Sequence, residues 1–205
     1  MPKVSQSYLD SRRAQILDAA IVRFSRQGFH RTTMQDIVAQ SRLSPGAIYN
    51  YFKSKEAIIG AIADARLTKE RQLMTDAQNE TTAADVLRRI RDAYFGELKD
   101  PKERLRRRVS IQLWAEAQRS PKILKVVRRS IEEPLKLLTG ILAGAQRSGE
   151  ISKEVDAEAT ARFLIAAFHG LVLQVEWDDN VTTKPYFAVL DSFLKSLTST
   201  TTRKK

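Results

Sequence analysis

The spacing of its apolar residues constrains this chain more than any other feature, because they recur at three and four positions rather than at two. That period belongs to helices with one buried stripe. Only eight glycines and six prolines punctuate 205 residues, so helix is expected almost throughout. No cysteine is present, which excludes disulfides and thiolate metal sites and leaves stability to buried side chains. The longest apolar stretch, Phe163 to Leu173, is too short to span a bilayer and carries His169. The first residues lack the apolar core of a signal peptide, so a cytoplasmic protein with no membrane partner is expected.

Thirty-five basic against 24 acidic side chains give a net charge of +11, a field suited to a polyanion such as nucleic acid. Residues 1–60 hold nine basic and four acidic side chains, whereas residues 151–200 hold four and seven. The positive excess therefore lies away from the C-terminal helices.

Leu17, Ala20, Ile21 and Phe24 line one face of a first helix expected from Asp10 to Gln27, with Gly28 as its left-handed stop. Thr33 and Asp36 have the spacing of a capping box, and Ile37 and Val38 supply the buried face of a short second helix. Ser44 and Pro45 are a second start signal, a hydroxyl cap followed by the ring tolerated at the first helical position. That third helix runs to Phe52, and Ser54 begins a longer fourth with Ala57, Ile58, Ala61 and Ile62 facing inward. Beyond residue 80 five more helices fit, making an all-α protein, and Pro134 should bend the rod from Pro121 to Ser148. Arg106, Arg107 and Arg108 point about 100° apart on a helix and are read as a solvated face.

Three short helices followed by a long one, with the polar turn Ser41-Arg42-Leu43 between the second and third, form the layout of a helix-turn-helix DNA reader. The run Thr33-Met34-Gln35-Asp36-Ile37-Val38-Ala39-Gln40, followed by Leu43 through Glu56, resembles the N-terminal domain of TetR/AcrR transcriptional regulators. Gly28, Thr33, Asp36, Ile37, Ser44, Gly46, Tyr49, Tyr51, Phe52 and Lys55 stand where that pattern asks. The likeness is close over residues 10–60 and beyond that rests on length and helix count. It implies a nine-helix homodimer, usually a repressor, released from its operator by a small molecule in the C-terminal domain. The implied organisation is a flexible basic arm (1–9), a helix-turn-helix domain (10–56), an effector-binding and dimerisation domain (57–197) and a disordered tail (198–205).

The physics of the motif suits a double-stranded DNA operator. Gly46 has no β-carbon, so the start of the third helix can approach base edges or phosphate closely. Pro45 and Ala47 offer small apolar surfaces to a thymine methyl, Ser44 caps the helix, and Asn50 can bond to adenine or phosphate. Thr33, Tyr49, Tyr51 and Lys55 match family positions that hold the DNA backbone, while Ile48 and Phe52 should anchor the helix inside. Arg42 stands where the family has glycine, so either the turn is reshaped or an L-residue accepts a positive φ.

Farther on, Ala166, Ala167 and Gly170 interleave with larger side chains, and the last helix is apolar along two stripes. Phe187, Leu190, Leu194 and Leu197 form one stripe, and Tyr186, Val189 and Phe193 the other. Two greasy faces need two partners, and the resemblance supplies the second: helices eight and nine pair with those of another subunit. Candidates to line a mostly apolar effector cavity are Tyr94, Phe95, Trp114, Gln118, Phe168 and His169. No cofactor or metal site is expected, since only two histidines occur and no nucleotide-, hydrolase- or zinc-protease motif is found. The chain is therefore not expected to be an enzyme. An architectural DNA-binding protein without an effector, or an activator of the same fold, is the alternative.

Overall fold

The computed structural model describes residues 5–77 and 79–198, apart from the side chains of Lys99 and Thr198. Nine α-helices and no strand occur among the described residues. They are α1 (Gln6–Arg31), α2 (Met34–Ser41), α3 (Pro45–Tyr51), α4 (Lys55–Ala77), α5 (Ala83–Gly96), α6 (Pro101–Glu116), α7 (Pro121–Ser148), α8 (Ala157–Trp177) and α9 (Thr183–Thr198). A short 3-10 turn, Glu97–Lys99, follows α5. None of the described helices is long and apolar enough to cross a membrane. Residues 1–4 of the expected arm and 199–205 of the expected tail lie outside the described residues.

α1 starts earlier than its apolar stripe suggests. The Ser5 hydroxyl accepts from the Tyr8 N–H at 3.3 Å, so residues 6–9 of the expected arm are helical. Gly28 interrupts the helix with φ 85° and ψ 161°, a backbone closed to other residues, and one further turn reaches Arg31. Thr32 is fully buried, and its hydroxyl and N–H both donate to the Gly28 carbonyl, at 2.7 and 3.3 Å. In α4 it is Ile58, Ile59 and Ala61 that are buried, whereas Ala57 is exposed. The stripe is thus displaced from the expected one, with Ile59 taking the place given to Ala57.

The chain divides into two compact units, and the division differs from the expected boundary at residue 57. The first comprises Met1–Arg66 and Pro101–Arg129, the second Leu67–Asp100 and Ser130–Lys205. The reason lies in the first unit's core. Ile16, Ala20, Phe24, Ile37 and Ile48 are fully or almost fully buried together with Ile58 and Ile59 of α4, Val109 and Leu113 of α6, and Ile123 of α7. The first three helices bury too little apolar surface to stand alone, and α4, α6 and α7 complete the core. In α7 the division falls between Arg129 and Ser130, at the turn where Pro134 has no N–H for the Ser130 carbonyl, although the helix continues through it.

Arg106 is not simply solvated as expected. It bonds to the buried carboxylate of Glu103 at 2.7 Å and lies 3.5 Å from Asp18, while Arg66 reaches Glu103 from α4 at 3.5 Å. A carboxylate 4% exposed has lost most of its hydration, and these partners offset part of that loss. In the second unit Met74, Val86, Leu87, Ile90, Leu135, Leu138, Leu142, Leu194 and Leu197 form a separate core. The Glu150 carboxylate accepts from the Ala83 N–H at 2.6 Å, satisfying one of the unpaired donors that open α5.

Candidate nucleic-acid interface and effector region

Reciprocal hydrogen bonds set the start of α2. The Thr33 hydroxyl accepts from the Asp36 N–H at 3.1 Å, and the Asp36 carboxylate accepts from the Thr33 N–H and hydroxyl, each at 2.8 Å. This is the expected capping box. The Thr33 N–H, then its hydroxyl, then the Gln27 amide and the field of Arg23 hold the Asp36 carboxyl below its ordinary range, against partial desolvation. At the other end of α2, the Gln15 amide donates to the Ser41 carbonyl at 2.7 Å, and the Arg12 guanidinium donates to Gln15 at 2.7 Å. Gln15 and Arg12 were not legible as motif residues, because nothing local signals a partner 26 positions away.

The turn between α2 and α3 keeps its usual shape at the expense of Arg42, which adopts φ 58° and ψ 26°. Of the two outcomes open for this residue, the L-side chain in left-handed geometry is the one realised. α3 then opens as expected: Ser44 accepts from the Ala47 N–H at 3.2 Å, with Pro45 in the first turn. Ile48 and Phe52 are buried, at 0% and 6% exposure, which fixes the rotation of the helix. Ser44, Pro45, Gly46, Tyr49 and Asn50 consequently face solvent, and Ala47 is half-buried. A β-carbon built at Gly46 would meet nothing within 4 Å.

Two of the expected backbone-holding residues are engaged within the protein. Tyr51 is half-buried against the first core, its ring 6.5 Å from that of Phe52. The Lys55 ammonium donates to the Phe29 carbonyl at 2.8 Å and the His30 carbonyl at 3.3 Å, and lies 4.6 Å from the centre of the Phe29 ring. It closes the turn that follows Gly28, where outward-facing carbonyls carry partial negative charge. The Ser54 hydroxyl beside it is the main cause holding the Glu56 carboxyl below its ordinary range, followed by the local backbone and the fields of Lys55 and Lys122.

Charge follows this architecture. Within Met1–Arg66 and Pro101–Arg129, twenty Lys and Arg stand against seven Asp and Glu, so the first unit carries the chain's whole positive excess. The remainder holds fifteen against seventeen.

The six candidate effector residues do not form one group. In the second unit the Phe168 ring lies 5.1 Å from Tyr94 and 5.8 Å from Phe95, both near edge-on, and Phe95 stacks edge-on Phe187 at 4.5 Å. His169 lies beside Phe168, with ring centres 6.0 Å apart. Trp114 and Gln118 belong to the first unit instead, where Trp114 is half-buried on α6 and Gln118 is exposed in the turn after it. A cavity of about 180 Å³ in the second unit is lined by Ala84, Arg88, Asp191, Leu194 and Lys195, and so by none of the six. On α8 and α9 the large apolar side chains Phe163, Trp177 and Val189 are 54%, 74% and 72% exposed.

Known proteins resemble both parts of the chain. Residues 16–62 match the family described as bacterial regulatory proteins, tetR family. Residues 65–199, well over half the chain, match the family described as BetI-type transcriptional repressor, C-terminal. The HTH-type transcriptional regulator UidR of Escherichia coli (strain K12) is 26% identical over 171 residues, covering 82% of this chain and 83% of UidR. Salmonella enterica GusR shares the fold with a TM-score of 0.80 at 26% identity, covering 96% of this chain and 98% of that one. FadR of Bacillus subtilis, solved in complex with stearoyl-CoA, has a TM-score of 0.74 at 23% identity over 91% of this chain and 97% of its own. These relatives and both families are of transcriptional regulators and not of enzymes. With a capped helix-turn-helix at its start and a matching C-terminal half, the chain belongs to the TetR family of transcriptional regulators.

Proposed function

We propose that this regulator is a cytoplasmic homodimeric repressor that seats α3 in the major groove of a roughly palindromic operator and leaves it when a small molecule binds the C-terminal region. The observation that carries the reading is Gly46. It is exposed at the start of α3 with open space where a β-carbon would stand, so the fold itself does not require glycine there. A close approach by base or phosphate supplies the requirement. In this reading Pro45, Gly46, Ala47 and Asn50 face base edges and set sequence preference, and Ser44 caps the helix that brings them to the DNA. Thr33, Tyr49, Tyr51 and Lys55 hold the backbone and fix register.

Exposure of Phe163, Trp177 and Val189 supports a dimer closed by α8 and α9. Such a dimer would set two copies of α3 about 34–36 Å apart, one helical turn of DNA. The aromatic group of Tyr94, Phe95 and Phe168, with His169 beside it, suits a largely apolar effector. The acyl chain bound by the similarly folded FadR is of that chemistry. Trp114 and Gln118, in the first unit, stay candidates by residue type alone.

Selection of duplexes from a random pool by the full-length protein, at moderate salt, tests the proposal. An inverted repeat whose preferred bases change in Asn50→Ala is the expected result. Recovery of no preferred sequence by an intact dimer would overturn the regulator reading in favour of an architectural one. Activation of a reporter carrying the selected site would replace repressor with activator.

A further inference from the structure

α7 opens by covering the first unit's core. Ile123 is 1% exposed there, and Leu124, Val126 and Val127 pack against the same cluster. Docking this stripe turns Lys122, Lys125 and Arg128 outward, and Arg119 in the preceding turn is exposed with them.

Few acids stand near these cations, Glu56 beside Lys122 among them. Ten basic residues and only two acidic ones lie between Pro101 and Arg129. Both acids are engaged elsewhere, Glu103 by Arg66 and Arg106, and Glu116 by His30 at 2.6 Å. Arg129 pairs with Asp64, but Arg119, Lys125 and Arg128 form no ion pair among the described residues.

Position gives the patch a meaning. The His30–Glu116 pair brings the end of α6 to the turn after Gly28, the same turn whose carbonyls hold Lys55. Lys122 acts on Glu56, the neighbour of Lys55. The end of α1, the start of α4 and the start of α7 therefore share one edge of the unit. The cations of α7 lie toward the edge that carries Lys55.

We propose that Arg119, Lys122, Lys125 and Arg128 form a second phosphate-binding surface, which grips the backbone of DNA flanking the operator. The inference rests on the regulator reading above. Lysine and arginine at solvent-exposed positions bind phosphate without reading bases, so the surface adds affinity and salt dependence but no sequence preference.

The test compares the selected operator duplex with the same duplex extended by about one helical turn, roughly 10 base pairs, on each side. The wild type should bind the extended duplex at least about tenfold more tightly near physiological salt, with a steeper dependence of log K on log salt. The variant Lys122→Gln/Lys125→Gln/Arg128→Gln should lose that advantage and its extra slope, about 0.9 for each phosphate released, while selecting the same sequence. A control of equal charge loss in the second unit, Lys136→Gln/Arg147→Gln/Lys153→Gln, should keep both. Equal affinity of the wild type for the two duplexes, or equal losses in variant and control, would overturn the proposal while leaving the operator reading intact. So would a length-independent wild type that binds phosphatidylglycerol vesicles through these residues, since the partner would then be a membrane. A wild type that selects no sequence would bring down the regulator reading, and this inference with it.

Discussion

The Lys55 ammonium at the start of α4 donates to the Phe29 carbonyl at the end of α1, 26 residues earlier, at 2.8 Å. A residue expected to serve DNA alone thus also closes the turn that Gly28 opens, and the two roles separate by chemistry. Lys55→Ala should cost about 1–2 kcal/mol of stability by urea unfolding, the worth of a charge-assisted bond at carbonyls that end a helix. It should also flatten the salt dependence of operator binding. Lys55→Gln retains a donor without the charge, so it should recover part of the stability and none of the salt slope. Full stability in Lys55→Ala would show that the contact contributes nothing to the fold.

Gly46 should respond in opposite directions to the same change. Gly46→Ala introduces a better helix former into open space and should raise unfolding stability by up to about 1 kcal/mol. The added methyl stands where DNA is to approach, so specific affinity should fall about tenfold or more in gel shifts. Unchanged affinity would mean that the first turn of α3 does not meet the duplex.

Arg42 is the described non-glycine residue with a positive φ. Relief of about 1–2 kcal/mol of left-handed strain is offset in Arg42→Gly by the greater freedom of glycine in the unfolded chain. The melting temperature should therefore rise slightly, by less than about 1 kcal/mol in equivalent stability. Arg42→Val, branched at the β-carbon, should lower stability by at least about 1 kcal/mol. A valine variant as stable as the wild type would show that the turn can reshape.

Asp36 makes the capping box sensitive to acid. Its folded pKa lies below the ordinary 3.8, chiefly because the Thr33 N–H and hydroxyl bond to the ionised carboxylate. The unfolded chain therefore takes up this proton first, so the contribution is fully present above the ordinary value and is lost as pH falls through the folded one. Asp36→Ala should be less stable than the wild type at neutral pH, with the gap in urea midpoint closing below pH 3.8. A gap that stays constant to lower pH would assign the loss to helix geometry instead of charge.

Val189 tests the α8 and α9 face without touching either core. The side chain is 72% exposed in the single chain, so Val189→Asp should leave the folded subunit intact. Analytical ultracentrifugation should show a shift from dimer to monomer, and operator affinity should fall with it. A dimer of undiminished affinity would place the interface elsewhere.

How much was legible in advance differs from residue to residue. Capping box, Ser-Pro start and buried Ile48 and Phe52 follow from local rules, since a cap needs only a hydroxyl and a period only neighbours. Ile59 is not legible in advance because two adjacent apolar pairs in α4 fit nearly the same stripe, and only packing into the first unit's shared core selects between rotations. The start of α1 is not legible in advance because Ser5 is one of several polar residues that could cap.

By itself, the order of residues determined the all-helical class, the helix-turn-helix and the outward face of α3, because each depends on interactions within a few positions along the chain. Tertiary structure alone decided that α6 and the start of α7 complete the first core, that Lys55 spans back to Phe29, and that Trp114 lies in a different unit from Phe168. Those outcomes depend on which distant surfaces exclude water together, and no local spacing encodes that choice.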